Sequence, residues 1–181
     1  PLTKQREPDM RFIDATADTV ASILRPGHLV ILESTTYPGT TDERLKARLE
    51  SVLWEASPDA DSQVRNPNSQ IPNAPAPSLL CGQDFFLAFS PEREDPGNKN
   101  YGTTNTPKLV GGVDPVSGDL AEAFYAAVVQ KVVRVRDART AEAAKLTENI
   151  FRAVNIALVN ELKMVYDRMG IDVWEVLDAA E

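Results

Sequence analysis

His28-Leu29-Val30-Ile31-Leu32-Glu33 is a short, continuous apolar run, bounded by Pro26-Gly27 before it and by Ser34-Thr35-Thr36-Tyr37-Pro38-Gly39-Thr40-Thr41 after it. A run of this length without polar alternation suits a strand buried on both faces, as in a parallel sheet. Upstream, Ile13, Ala17, Val20, Ala21 and Leu24 recur at three- and four-residue spacing. That pattern predicts an amphipathic helix over residues 14–24, stopped by Pro26-Gly27. Downstream, Leu45, Leu49, Val52 and Leu53 form the apolar face of a second helix over residues 42–56, with Thr41 or Asp42 as its cap. Helix, strand, turn and helix in this order is the rhythm of an α/β layer.

The rhythm continues along the chain. Residues 85–90, 108–111 and 131–136 predict three further strands. Residues 115–129, between the last two, carry Leu120, Ala123, Phe124 and Ala127 as a helical stripe. The expected sheet is therefore mostly parallel. Residues 57–79 break the pattern: Pro58, Pro67, Pro72, Pro75 and Pro77 sit among Asn, Ser, Asp and Gln. This is a loop, and because strand and helix resume at once it is an insertion, not a linker. From Thr140, the expected N-cap, one long helix runs to Gly170, a C′ residue. It carries two apolar stripes: Leu146, Ile150, Ala153, Ala157 and Met164, then Phe151, Val154, Leu158, Leu162, Val165 and Met169. Two stripes imply packing on more than one side, and self-association through this helix. Asp172 is placed to cap a last helix over 173–180. The chain starts without Met and stops within that helix, so it is expected to be a piece of a longer polypeptide.

Composition narrows the function classes. The 181 residues are 43% hydrophobic and 25% charged, with a formal net charge of −8. A general nucleic-acid surface needs clustered Lys and Arg, so nucleic acid is not an expected partner. One helix N-terminus or one Lys still suffices for a phosphate-bearing small ligand. No apolar run nears the length of a membrane span. One cysteine, Cys81, and one histidine, His28, allow neither a disulfide within the chain nor a Cys/His zinc cluster. A reducing cytoplasm fits.

Three segments could carry chemistry. Lys145 and Asn149, four residues apart, share a helical face, and Arg152, Asn155 and Asn160 extend the polar line. An ammonium beside an amide can stabilise an oxyanion; the same spacing also describes a solvated helix face. The hydroxyl-rich turn 33–41 follows a buried strand, where open α/β sheets bind ligands; it also serves as a plain polar turn with Thr41 as a cap. Ser90-Pro91-Glu92-Arg93-Glu94-Asp95-Pro96-Gly97-Asn98 follows another strand end. Its carboxylates suit base work, or an acidic surface loop. Cys81 is a possible thiol nucleophile only with a base beside it, and no His is near in sequence. His28, at a strand start, is read as structural or exposed.

Taken together, several stretches resemble the UDP-glucose/GDP-mannose dehydrogenase family, nearest its UDP-N-acetylglucosamine 6-dehydrogenase branch. They are residues 1–9, Leu32-Glu33-Ser34-Thr35-Thr36-Tyr37-Pro38-Gly39-Thr40-Thr41, Phe89 through Asn98, Pro107-Lys108-Leu109-Val110-Gly111-Gly112, and residues 141–180. The resemblance implies oxidation of the 6-hydroxymethyl group of a UDP-sugar to a carboxylate, with two NAD+ per turnover and a cysteine thioester hydrolysed by water. It places Lys145 and Asn149 on the oxyanion, Glu92 on water activation, Thr35 on water positioning, and Ser34 and Thr35 near NAD. Substrate contacts fall on Glu92, Arg93, Lys145, Asn149 and Arg152. The implied architecture is the C-terminal half of a Rossmann-like NAD-binding domain over 1–137, then the start of a central helical dimerisation domain over 138–181, forming a homodimer. The family's glycine-rich dinucleotide fingerprint and its nucleophilic cysteine motif are absent from residues 1–181, Cys81 matches neither, and the 57–79 insertion is long for the family. The chain alone is therefore expected to be inactive. The competing expectations are a non-catalytic α/β-plus-helix association module, or another member of the wider hydroxyacid-dehydrogenase group.

Overall fold

The computed structural model describes residues 3–51, 78–92 and 106–180. In chain order the elements are α1 (Arg11–Ile23), β1 (Leu29–Leu32), a π-helical segment (Thr40–Leu45) running into α2 (Lys46–Glu50), β2 (Phe86–Phe89), β3 (Lys108–Gly112), α3 (Pro115–Ala126), β4 (Val132–Arg134), α4 (Ala138–Met169) and α5 (Val173–Ala180). The chain divides into two compact units, 1–143 and 144–181. Most of the predicted 57–79 insertion, and Val52 and Leu53 of the second predicted helix, lie outside the described residues.

The first unit is built on a four-stranded sheet in the order β1-β2-β3-β4. β1 pairs parallel with β2, and β3 parallel with β4. Side chains alternate between the two faces, as a strand requires. Leu87 packs with Ala17, Ala21, Leu24, Leu45 and Leu49 on the side of α1 and α2. Its neighbour Ala88 packs with Val110, Ala121 and Tyr125 on the side of α3. Helices thus cover both faces, the arrangement that a continuous apolar strand demands.

One pairing departs from the parallel pattern. β2 and β3 run antiparallel, with Ala88 opposite Gly112 and Phe89 opposite Gly111. The connection 90–107 carries Pro91, Pro96, Gly97, Gly102 and Pro107 and no helical stripe. A parallel return usually needs a covering helix. Here the chain doubles back, so β3 starts beside the carboxyl ends of β1 and β2.

α3 buries a different face from the expected one. Leu120, Ala123, Phe124 and Ala127 are exposed, whereas Ser117, Gly118, Ala121 and Tyr125 are buried. Close approach decides this. A Cβ on Gly112 would come within 2.2 Å of the Gly118 nitrogen. Small residues let the helix lie against the sheet, and Ser117 bridges the two: its Oγ accepts from the Leu87 N–H at 3.0 Å. Asp114 caps the helix, accepting from the Ser117 N–H at 2.9 Å.

Two other caps differ from expectation. The segment Thr40–Leu45 is capped by neither Thr41 nor Asp42, but by Glu142 from α4. Its carboxylate accepts from the N–H groups of Gly39 (2.6 Å) and Thr41 (2.9 Å) and from Thr41 Oγ1 (2.6 Å). Gly39 takes φ 102° at this turn, a conformation that costs glycine little. α4 begins before Thr140, and Asp137 caps it, its Oδ1 accepting from the Thr140 N–H (2.8 Å) and hydroxyl (2.7 Å).

The second unit contains the rest of α4 and α5. Gly170, at φ 71°, ends α4 as expected. The Ile171 N–H reaches the Tyr166 carbonyl at 3.0 Å and the Gly170 N–H reaches Asp167 at 3.3 Å, a Schellman closure. Asp172 caps α5 as predicted, accepting from the Trp174 N–H at 2.9 Å.

Candidate functional site

The carboxyl ends of β1 and β2 lie side by side, because Leu32 pairs with Phe89. Glu33-Ser34-Thr35 leaves the first and Ser90-Pro91-Glu92 the second. This edge is where open α/β sheets place ligands. The antiparallel turn-back adds a third contributor. Continuing the Phe89–Gly111 register by three residues sets Lys108 opposite Glu92.

Lys108 joins the two strand ends. Its Nζ lies 2.8 Å from Glu33 Oε1 and 3.5 Å from Glu92 Oε2. The same Nζ stands 5.0 Å above the centroid of the Tyr125 ring, within cation–π range. The Tyr125 hydroxyl donates to Glu33 Oε1 at 2.7 Å. Partial burial pushes the Glu33 carboxyl up, but the Lys108 and Tyr125 donors outweigh it and hold the group below its ordinary range. Burial, and the Glu33 carboxylate that its hydroxyl serves, push the Tyr125 phenol well above its ordinary value. Two carboxylates, an ammonium and a phenol thus form one network on three strands and a helix.

Of the residues singled out from sequence, Glu92 falls in this network, with its side chain about half exposed. Ser34 and Thr35 are exposed on the turn two residues and less beyond Glu33. Ser34 also lines an apolar groove of about 180 Å³ with Phe12, Ile13, Val20, Ile31 and Leu45. That volume is below the roughly 300–1,000 Å³ of small-molecule sites. Arg93 lies outside the described residues. Lys145, Asn149 and Arg152 follow one another on α4 in the second unit; Lys145 is 9% exposed, Asn149 half-buried and Arg152 exposed. Lys108 and Tyr125 were not legible as site residues. The available signal was a lysine opening a short apolar strand, which gives no hint of which strand ends it faces.

Cys81 is half-buried, and its thiol is pushed up to about 11 by burial and then by the nearby Asp114 carboxylate. A thiol so shifted is almost wholly protonated near neutrality and is a poor nucleophile. Among the described residues, no group of His, Cys, Asp and Glu could hold a metal ion. Among the same residues, no helix is long and apolar enough to cross a membrane.

Comparison with known proteins places the chain. Residues 1–129 match the model of the NAD binding domain of the UDP-glucose/GDP-mannose dehydrogenase family, and residues 139–181 match that of its central domain. The chain is 36% identical over 180 residues to the NDP-N-acetyl-D-galactosaminuronic acid dehydrogenase of Ralstonia nicotianae, covering 99% of this chain and 38% of that protein. It is 32% identical over 181 residues to the UDP-N-acetyl-D-glucosamine 6-dehydrogenase of Pseudomonas aeruginosa, covering 99% of this chain and 37% of the relative. Among solved structures, the UDP-D-ManNAc dehydrogenase of Pyrococcus horikoshii superposes with a TM-score of 0.78 at 32% identity, over 99% of this chain and 37% of that one. The chain therefore spans well under half the length of the relatives it matches.

Proposed function

The chain belongs to the UDP-glucose/GDP-mannose dehydrogenase family, and on that premise we propose that the protein containing it is an NAD-dependent nucleotide-sugar 6-dehydrogenase. Its substrate is a UDP-N-acetylated hexose, whose C6 hydroxymethyl group is oxidised to the uronic acid in two NAD-linked steps, a product used in polysaccharide biosynthesis. The observation that carries this reading is Glu92, held at the carboxyl end of β2 beside Glu33 and Lys108.

The exposed Ser34 and Thr35 hydroxyls, at the carboxyl end of β1, fit a ribose or carboxamide edge of NAD, which accepts hydride when bound. Thr35 also positions water. Lys145 and Asn149 donate to the oxyanion that develops at C6. Glu92 takes a proton from the water that adds to a thioester carbon; the C–S bond then breaks to give the carboxylate and a cysteine thiolate, the cysteine lying outside residues 1–181. Arg93 and Arg152 join Glu92, Lys145 and Asn149 in binding the nucleotide sugar. Residues 1–137 serve as part of the NAD-binding domain and 138–181 as part of the central domain, through whose long helix two copies associate in the cytoplasm.

The test is NADH production by the full-length protein against a panel of UDP-sugars. Two NADH per sugar are expected, with N-acetylated hexoses preferred. Lys145→Ala is expected to cut turnover by on the order of a hundredfold or more, the scale of removing one oxyanion donor, with the fold intact. Near-normal turnover of that variant would remove Lys145 from the chemistry, and an inert wild-type protein would leave a non-catalytic association module in its place.

A further inference from the structure

We infer that Lys108 is a positioning residue, which holds the Glu92 carboxylate over the strand ends with Glu33 and Tyr125 as its buttress; the inference rests on the function proposed above. Lysine is a flexible point charge that ordinarily gives no fixed geometry. Here its side chain is only 12% exposed and is held from three sides. Glu33 Oε1 is 2.8 Å away, Glu92 Oε2 is 3.5 Å away, and the Tyr125 ring lies beneath at 5.0 Å.

The contacts are unequal, and that inequality assigns the roles. Glu33 is the anchor, because its Oε1 takes both the ammonium and the Tyr125 hydroxyl. Glu92 is the more distant partner of the ammonium, at 3.5 Å against 2.8 Å for Glu33. Its side chain is 53% exposed, so it can still meet a water molecule. The charges point the same way: two carboxylates cannot share a strand edge at low cost without a cation between them.

Rapid mixing of the full-length protein with NAD and its preferred UDP-sugar separates the first-turnover burst of NADH from the steady-state rate. If Lys108 positions Glu92 for thioester hydrolysis, Lys108→Met keeps the burst but lowers the steady state by on the order of tenfold to a hundredfold, part of a general base's usual contribution. An acyl-enzyme mass then accumulates. Lys108→Arg restores the steady state, and Tyr125→Phe gives a smaller loss of the same kind. Burst and steady state falling together, a Met variant equal to wild type, or an Arg variant no better than Met would each overturn the inference while leaving the enzyme assignment standing. If Lys108→Met shows no cooperative unfolding transition, the Arg and Phe variants decide by the same two rates. A wild-type protein that reduces no NAD with any UDP-sugar overturns the proposed function and this inference with it.

Discussion

Glu142 is fully buried, and every group reaching its carboxylate is a donor: two backbone N–H groups and one hydroxyl. It ties the first turn of α4 to the Pro38-Gly39-Thr40-Thr41 turn that follows Ser34 and Thr35. Burial pushes its carboxyl above the ordinary range despite the three donors pulling the other way. Glu142→Ala would leave two shielded N–H groups unpaired, at roughly 1–3 kcal/mol each before water enters. The expected loss is about 3 kcal/mol in chemical denaturation, with Glu142→Gln losing less because its amide oxygen still accepts. A loss of under about 1 kcal/mol in the Ala variant would show that the turn holds itself. Cys81 gives the opposite case, a group whose chemistry is switched off. With its thiol near 11, Cys81→Ser is expected to leave turnover of the full-length enzyme unchanged. An inactive Cys81→Ser protein that still folds would reinstate this cysteine as a nucleophile.

Caps at the element scale show what local sequence can and cannot settle. Asp137 closes the N-terminus of α4, and the Thr140 hydroxyl and N–H that it accepts from hold its carboxyl down at about 2. A depressed carboxyl contributes stability above its ordinary value of 3.8, and that contribution is lost as pH falls from 3.8 through about 2. Asp137→Ala is expected to cost about 1 kcal/mol, and Asp137→Asn less, since Asn also caps. In acid titrations of thermal stability, the gap between wild type and Asp137→Asn should narrow across that window; a constant gap would mean the charge contributes nothing. Thr140 was the natural choice from sequence, being the hydroxyl residue before the long apolar period, yet it is the donor in this cap. The strands and the α1 face were legible because Ala17, Ala21 and the run 28–33 follow simple periods. The α3 face was not, because Gly118 and Gly112 approach too closely for the larger residues to point inward. Nor was the reversal of β3, because the apolar period of a strand does not say in which direction it pairs. Glu92 was legible as a strand-end carboxylate; Lys108 was not, because it meets Glu92 only through that reversal, and Tyr125 was not, because it joins from α3 through Glu33 and Lys108.

At the scale of the whole molecule, the apolar side chains of the second unit call for a partner surface. Ile150, Phe151, Val154, Leu158, Val165 and Met169 are all exposed along α4, Phe151 at 71%, and Trp174 on α5 is 68% exposed. So many exposed large apolar side chains on one helix are uncommon on a monomer and point to an interaction surface. The side chains recur on both predicted stripes, so no single neighbouring helix would cover them. A two-fold pairing with a second copy would set identical faces together, as isologous interfaces do. The proposed homodimer therefore makes a direct prediction. The full-length protein should sediment as a dimer at micromolar concentration, and Phe151→Glu with Leu158→Glu should shift it toward monomer. Burying two carboxylates against apolar neighbours carries a penalty of several kcal/mol, enough to move a dimer's dissociation constant by orders of magnitude. The first unit, with its own core around Leu87 and Ala88, should keep its fold in that variant. A wild-type protein that sediments only as a monomer would refute the pairing, and a charged double variant that stays dimeric would move the interface away from α4.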